Sequence, residues 1–336
     1  MTYARLADDP FAAVDDALAG RADGVAAATS GSTGAPREVL IPGTAIRASA
    51  ELTAARLGGD ASWLLAIPPT RIGGAMVVAR ARLAGTPLAT LPAGPFTASS
   101  FADATAALPA GRRHVSLVPT QVRRLLADPA GRDALATYDA VLVGGAALPE
   151  HDAPANLVRT YGMSETSGGC VYDGVPLDGV GVRIEEDGRI LLSGPTLAAG
   201  YADGDASDFL DIDGVRWFRT SDLGERRPDG RLTVLGRADH AINTGGVKVH
   251  PQRIELALER AGATAVAVVG VPDAEWGEAV VAVVEGRVDD AAVAAALEGL
   301  ASYERPKRIV HARVPRTAGG KIDRPAARAL ASEEDR

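Results

Sequence analysis

Cysteine is almost missing from this chain: Cys170 is the single one among 336 residues. An internal disulfide framework is therefore excluded, and with it the disulfide-stapled class of small extracellular scaffolds. Aromatic residues are scarce at 4%. No apolar run reaches the roughly 18 residues that a membrane-crossing helix needs. The opening "MTYARLADDPF" lacks the basic-then-apolar pattern of a secretory leader, so the cytoplasm is the expected compartment. Positive charge is in deficit, with 35 Lys and Arg against 43 Asp and Glu and a net charge of −8. Broad attraction to nucleic acid or to an anionic membrane is not expected. The five histidines, His114, His151, His240, His250 and His311, show no metal-ligand spacing.

What is present is an ordinary globular composition, 46% apolar and 23% charged, in a length that suits roughly two domains. Short apolar runs alternate with helical patterns through the first two thirds. "SWLLAIP" (Ser62–Pro68), "TPLATL" (Thr86–Leu91), "HVSLVP" (His114–Pro119) and "AVLVGG" (Ala140–Gly145) read as strands. "GGAMVVARARLAG" (Gly73–Gly85) and "TQVRRLLAD" (Thr120–Asp128) read as helices. This alternation predicts a mostly parallel sheet with helices on its faces, whose ligands sit beyond the carboxyl ends of the strands.

After about Asp173 the texture changes, and Asp-Gly turns separate alternating strands, as in "VRIEEDGRILLSG", the pattern of antiparallel hairpins. From near Arg237 a helix opened at Pro251, two apolar strands and the helix "DDAAVAAALEGLASY" form a further small unit. The expected fold class is α/β. Residues 1–237 would form a large domain of mixed, mostly parallel sheets with an antiparallel section, and residues 238–336 a small α+β domain.

Five stretches carry chemistry that packing does not call for. "TSGSTGAPR" (Thr29–Arg37) follows the strand-like "GVAAA", and six of its nine residues are Gly, Ser or Thr. Taken alone it reads either as a surface turn or as a polyphosphate cradle, in which glycines expose backbone N–H groups, hydroxyls add donors and Arg37 adds charge. It lacks the Gly-Lys-Ser/Thr ending of a Walker A loop. "TYGMSET" (Thr160–Thr166) puts an aromatic, a glycine, hydroxyls and a carboxylate at a strand end, and "RTSDLGE" (Arg219–Glu225) centres on Asp222. "GRADHAINTGGVKVHPQRIE" (Gly236–Glu255) gathers Arg, Asp, Asn and a glycine pair between the two sections, and "PRTAGGKIDR" (Pro315–Arg324) sets Lys321 on a Gly-rich turn. Each has a plain alternative as a cap, turn, linker charge or solvated tail residue.

All five in this order resemble the adenylate-forming superfamily of acyl-CoA synthetases, peptide-synthetase adenylation domains and luciferases. "LVPTQ" (Leu117–Gln121) and "VLVGGAAL" (Val141–Leu148) complete the series, and the resemblance runs from about Val25 to Arg328. Within it, "RTYGMSETSGGCVYDGVPLDGV" (Arg159–Val180) and "LTVLGRADHAINTGG" (Leu232–Gly246) are most similar to the 2-succinylbenzoate–CoA ligases of menaquinone biosynthesis, in their short actinobacterial form.

The resemblance implies a two-step ligation in which Mg-ATP activates a carboxylate as its acyl-adenylate and CoA then takes the acyl group. It implies that Thr29, Ser30, Gly31, Ser32, Thr33, Gly34 and Arg37 hold the departing pyrophosphate. Glu165 would ligate Mg²⁺, and Thr166 or Ser164 would touch the α-phosphate beside Gly162. Gly144, Gly145, Ala146 and Tyr161 would frame the adenine, Asp222 would accept the ribose hydroxyls, and Arg237 would reach ribose or phosphate. Lys321 would be the adenylation lysine, carried by a mobile C-terminal domain that turns about Asp239 and brings Asn243, Gly245 and Gly246 to CoA. Arg71, Gly73, Gly74, Ser167, Gly168, Gly169 and Cys170, with Ala75, Val171 and Gln121 nearby, would line the acyl site.

The chain departs from the pattern in three places. The phosphate loop ends Pro36-Arg37-Glu38 where the family usually has Pro-Lys-Gly, and Arg71 stands where a His is common. Arg71 reads as a surface residue or as a partner for a dicarboxylic substrate. Only 28 residues precede Thr29, far fewer than in longer relatives, which leaves surface that a homodimer or other partner would cover. Small carboxylic acid, ATP and CoA are the expected partners, with no nucleic acid and no membrane insertion. Transfer to a carrier-protein thiol, another aryl acid, or a degenerate nucleotide binder are the alternatives.

Overall fold

The computed structural model describes residues 2–29, 37–145, 154–317 and 322–333. Its centre is a seven-stranded sheet in the order Val175–Pro176, Gly168–Tyr172, Leu157–Met163, Ala140–Val143, Arg113–Leu117, Ser62–Leu65 and Leu88–Thr90. The five strands from Leu157–Met163 to Leu88–Thr90 run parallel, and Gly168–Tyr172 turns back antiparallel. Strands buried on both faces should be apolar at every position, and Ala140–Val143 is buried throughout. Its period of two divides it between two cores. Ala140 and Leu142 join a core with the helices Pro10–Leu18, Gly43–Arg56 and Ile72–Ala84, while Val141 and Val143 join one with Ala98–Ala106, Pro119–Leu126 and Pro129–Ala136.

A four-stranded sheet, Tyr3–Arg5, Gly24–Ala28, Glu38–Pro42 and Gly200–Tyr201, flanks the first core. It matters for the site because it ties both ends of the Thr29–Arg37 stretch to Gly200–Tyr201. The Asp-Gly section forms the expected antiparallel sheet, Gly181–Ile184, Arg189–Ser193, Val215–Arg226 and Phe209–Ile212, with Leu232–Arg237 paired to Val215–Arg226.

The last section makes its own five-stranded sheet from Ile242–Thr244, Val247–Val249, Ala265–Asp273, Gly277–Glu285 and Arg308–His311. One face packs on Pro251–Arg260 through Ile254 and Leu258, and the other on Arg324–Glu333 through Ala327 and Ala331. The helix read as continuing to Tyr303 stops at Glu298 with Gly299 as its cap, as expected where glycine interrupts a helix interior. No helix among the described residues is long and apolar enough to cross a membrane.

Candidate active site

The glycines after the strand Ala140–Val143 are needed as glycines. A Cβ on Gly144 would lie 2.7 Å from Thr160 Oγ1, and Gly145 has φ of +83°. Nearby, Thr29 N–H donates to the Arg37 carbonyl at 2.8 Å and Arg37 N–H to Thr29 Oγ1 at 3.2 Å, so the neck of the phosphate-loop stretch is closed by its own ends. Ser30, Gly31, Ser32, Thr33, Gly34, Ala146 and Lys321 lie outside the described residues.

Leu157–Met163 carries Tyr161 towards the neighbouring antiparallel sheet. Its hydroxyl donates to Asp222 Oδ2 at 2.9 Å, and Asp222 is the register partner of Arg237. Burial, and then the Asp222 charge, push the Tyr161 phenol well above its ordinary range, so Tyr161 is a fixed donor in this bond. Arg237 Nε and Nη2 donate to Asp239 Oδ1 and Oδ2 at 2.8 and 2.7 Å. Burial works against the Asp239 charge, but the Arg237 guanidinium holds its carboxyl below the usual range. The candidate hinge therefore starts inside a bidentate ion pair.

Beyond Met163 the chain turns through a short 3₁₀ segment, Ser164–Thr166. A Cβ on Gly162 would fall 2.1 Å from the Gly168 carbonyl oxygen, so only glycine permits that approach. Thr166 is buried, accepts from Met163 N–H at 2.9 Å and donates to the Gly168 carbonyl at 2.8 Å. Ser167 is buried at φ +53° and donates to the Thr196 carbonyl. These bonds brace the turn that holds Glu165. Of the two hydroxyls, Ser164 is the less buried and Thr166 is the one committed to the turn.

Glu165 is 8% exposed, its Oε1 accepts from the Tyr201 hydroxyl at 3.0 Å, and it has no ion pair among the described residues. Burial first, and then Asp208, raise its carboxyl above the usual range. Arg37 opposes that rise from a distance, and a buried carboxylate without a direct ion pair favours a cation. One such group fits Mg²⁺, which takes one or two carboxylates and completes its shell with water and phosphate oxygens. Arg37, which the resemblance assigns to phosphate, donates to Asp203 at 3.0 and 3.1 Å and to Asp205 at 2.9 Å. Its guanidinium also lies 3.6 Å over the Tyr201 ring.

Of the residues expected to line the acyl site, Gly73 and Gly74 lie in the first turn of the helix Ile72–Ala84, and Gly168 approaches it. A Cβ on Gly74 would lie 2.3 Å from the Pro68 carbonyl oxygen, one on Gly73 would lie 3.0 Å from Ile67, and one on Gly168 would sit 3.5 Å from Met76 Cγ. A Cβ on Gly169 would lie 2.9 Å from Thr160 Cβ. Cys170 is fully buried and its thiol is pushed up to about 12 by burial, which suits a wall or core and not a nucleophile. Gln121 caps its own helix through Val118 N–H and donates to the Ala66 carbonyl at 2.8 Å. Arg71 is exposed at the N-cap position of the helix, makes no side-chain cap bond there, and donates to the Ala28 carbonyl at 3.3 Å.

Sequence reasoning passed over Arg80, one further turn along the face that carries Gly73 and Met76. It is 7% exposed, its Nε has no partner, and no carboxylate pairs with it among the described residues. The guanidinium lies 5.3 Å over the Trp63 ring. The available signal was a charge on an otherwise apolar helical stripe. Tyr201 was missed too, since a lone Gly-Tyr before an acidic run carries no motif. On the other side, Asn243, Gly245 and Gly246 form the hairpin between Ile242–Thr244 and Val247–Val249. Gly245 has φ of +58°, and a Cβ there would lie 2.8 Å from Trp276, which is 39% exposed.

The AMP-binding enzyme family matches residues 27–202, and the AMP-binding enzyme C-terminal domain matches residues 255–321. A probable 2-succinylbenzoate–CoA ligase of Mycobacterium tuberculosis is 44% identical over 91% of this chain and 84% of its own length. The fold is similar to the Bacillus subtilis o-succinylbenzoate CoA synthetase solved with its acyl-adenylate intermediate, at TM-score 0.76 and 25% identity over 91% of this chain and 69% of that one. ATP-bound MatB from Rhodopseudomonas palustris superposes at TM-score 0.79 and 25% identity, over 93% and 69%. The chain belongs to the family of AMP-binding enzymes, with the C-terminal domain of that family included.

Proposed function

We propose that this protein is an ATP-dependent acid–CoA ligase acting on 2-succinylbenzoate. The observation that carries the reading is that the strand Leu157–Met163 supplies Tyr161, hydrogen-bonded to Asp222, and leads directly into the turn that holds Glu165, a buried carboxylate with no ion pair among the described residues. The acid's carboxylate oxygen attacks the α-phosphorus of ATP, the bond to the β-phosphate breaks, and pyrophosphate leaves. The CoA sulfur, having lost its proton, then attacks the acyl carbon, and AMP leaves. Mg²⁺ held at Glu165 neutralises phosphate charge when bound.

The chain's own residues supply positioning. Asp222 takes the ribose hydroxyls as an acceptor-only group, with Tyr161 holding its second oxygen. Lys321 meets the charge that builds between carboxylate and α-phosphate, where a compact ammonium on a flexible stem is suited. The small domain begins after Arg237 and turns about Asp239, presenting Asn243, Gly245 and Gly246 in the second step. Arg80 sets the acid specificity: 2-succinylbenzoate has a second carboxylate, and a buried guanidinium with no carboxylate paired to it among the described residues is its natural seat. With ATP and CoA as co-substrates, we place the protein in the cytoplasm.

The test is a product assay by mass spectrometry, with Mg-ATP and 2-succinylbenzoate, with and without CoA. AMP plus the CoA thioester, absent with Lys321→Ala, supports the reading. ATP left intact with this acid and a panel of aryl acids refutes it. Acyl-adenylate formed without any thioester favours a carrier-protein acceptor.

A further inference from the structure

Tyr201 joins the two loops that the reaction uses, and no motif marks it. Its strand, Gly200–Tyr201, pairs with Val39 and Leu40 just after the phosphate-loop stretch. Three residues earlier, Ala198 N–H donates to the Glu165 carbonyl at 2.8 Å. The ring is 7% exposed, with Arg37 stacked on one face at 3.6 Å and Phe209 set against it at 5.8 Å. Arg37 is in turn fixed by Asp203 and Asp205. Its fork is thereby spent on carboxylates of the acidic turn and its face on the ring.

The phenol has one proton to donate and two carboxylates in reach, Glu165 Oε1 at 3.0 Å and Asp208 Oδ2 at 3.4 Å. The shorter bond goes to Glu165. A tyrosine placed only for packing would not need its hydroxyl on a buried carboxylate. A phenylalanine would fill the same space between Arg37 and Phe209.

We propose that Tyr201 is a positioning residue for Glu165, its hydroxyl fixing one carboxylate oxygen so that the other is left to a divalent cation bound with the nucleotide. The inference rests on the ligase reading, and it gives Arg37 a task other than direct phosphate contact. Arg37 and the acidic turn hold the tyrosine, the tyrosine holds the glutamate, and the glutamate meets the metal.

The experiment uses the full chain and the non-hydrolysable analogue α,β-methylene-ATP, with dissociation constants measured by calorimetry in excess Mg²⁺ and in EDTA. The ratio of the two is the metal's contribution to nucleotide binding. Tyr201→Phe keeps ring and stacking and should lower that ratio roughly threefold to tenfold, the scale of one net intramolecular hydrogen bond. Its affinity in EDTA and its thermal midpoint should match the parent, and Glu165→Gln should lower the ratio at least as far. An unchanged ratio in Tyr201→Phe overturns the proposal, and so does an equal loss in Mg²⁺ and EDTA, which marks a scaffold residue. If the parent chain binds no analogue in either buffer, the ligase reading falls first and this one with it.

Discussion

Tyr161 and Asp222, 61 residues apart in sequence, are joined by a 2.9 Å hydrogen bond from the phenol to Oδ2. The bond crosses from the central sheet to the antiparallel one and leaves the carboxylate ordered before any nucleotide arrives. Asp222 is fixed further by its own N–H, which donates to Thr220 Oγ1 at 3.0 Å. Preorganisation of this kind removes an ordering cost from binding.

The first prediction follows from that pair. On the proposed assignment, Asp222→Ala removes the acceptor of two ribose hydroxyl hydrogen bonds, each, as a bond to a charged group, worth about 1.5–3 kcal/mol. The KM for ATP should rise at least tenfold, with the KM for the acid little changed. Tyr161→Phe leaves the carboxylate in place but unbraced, so its effect on the ATP KM should be smaller and in the same direction. Steady-state kinetics with each substrate varied in turn checks both, and a larger effect from Tyr161→Phe than from Asp222→Ala would refute the assignment.

Arg80 supports a prediction with two opposite signs. Burial disfavours its charged form, and an uncompensated buried charge destabilises the empty protein. Arg80→Met keeps most of the side-chain volume and should raise the unfolding free energy by an amount on the order of 1–4 kcal/mol, read from denaturant titration. The same change should raise the KM for 2-succinylbenzoate by about tenfold or more, and spare an aryl acid that lacks the second carboxylate. A variant that is less stable, or one that handles both acids as the parent does, would show that Arg80 is not the seat of that group.

Lys321→Ala separates the half-reactions. Loss of a cation aimed at developing charge costs on the order of 10²–10³ in rate, and it should fall on adenylation alone. Supplied with the preformed acyl-adenylate, the variant should still give CoA thioester at close to the parent rate, because the role proposed for the lysine is confined to the step in which the phosphate bond breaks. Rapid-quench measurement of each step decides this. An equal loss in both steps would make Lys321 a residue of the domain's structure.

Much of this was legible in the sequence, and the reasons differ by element. The parallel strands were readable because their burial on both faces leaves continuous apolar runs such as "AVLV" (Ala140–Val143). Asp222 and Glu165 stood out as carboxylates among small hydroxyl residues. Tyr201 and Arg80 were not legible, since what marks them is a neighbour distant in sequence. Tyr201 matters through Glu165, 36 residues away, and Arg80 through its burial over the Trp63 ring with no carboxylate paired to it among the described residues. The role of Arg37 was equally hidden, because its carboxylates lie 166 and 168 residues downstream.

The last prediction concerns acid stability and His114, which is 1% exposed with an unpartnered Nε2. The Trp63 ring meets the imidazole edge-on at 5.1 Å. Burial, with Arg112 and Arg80 adding to it and Asp139 opposing, lowers its pKa from 6.5 to about 4. The folded state thus keeps the imidazole neutral where the unfolded chain would protonate it. Its contribution to stability is complete above pH 6.5 and is lost as the pH falls towards 4, with a ceiling of about 3 kcal/mol for a shift of this size. Glu165 and Glu259, whose carboxyls are raised by burial, act with the opposite sign in the acid range, but they are common to parent and variant and cancel in the comparison. His114→Phe retains a ring against Trp63 and cannot titrate. Urea midpoints measured from pH 7 to 4.5 should therefore fall more steeply for the parent than for His114→Phe. Parallel curves would mean that His114 titrates alike in the folded and unfolded chain, and that burial does not hold the imidazole neutral.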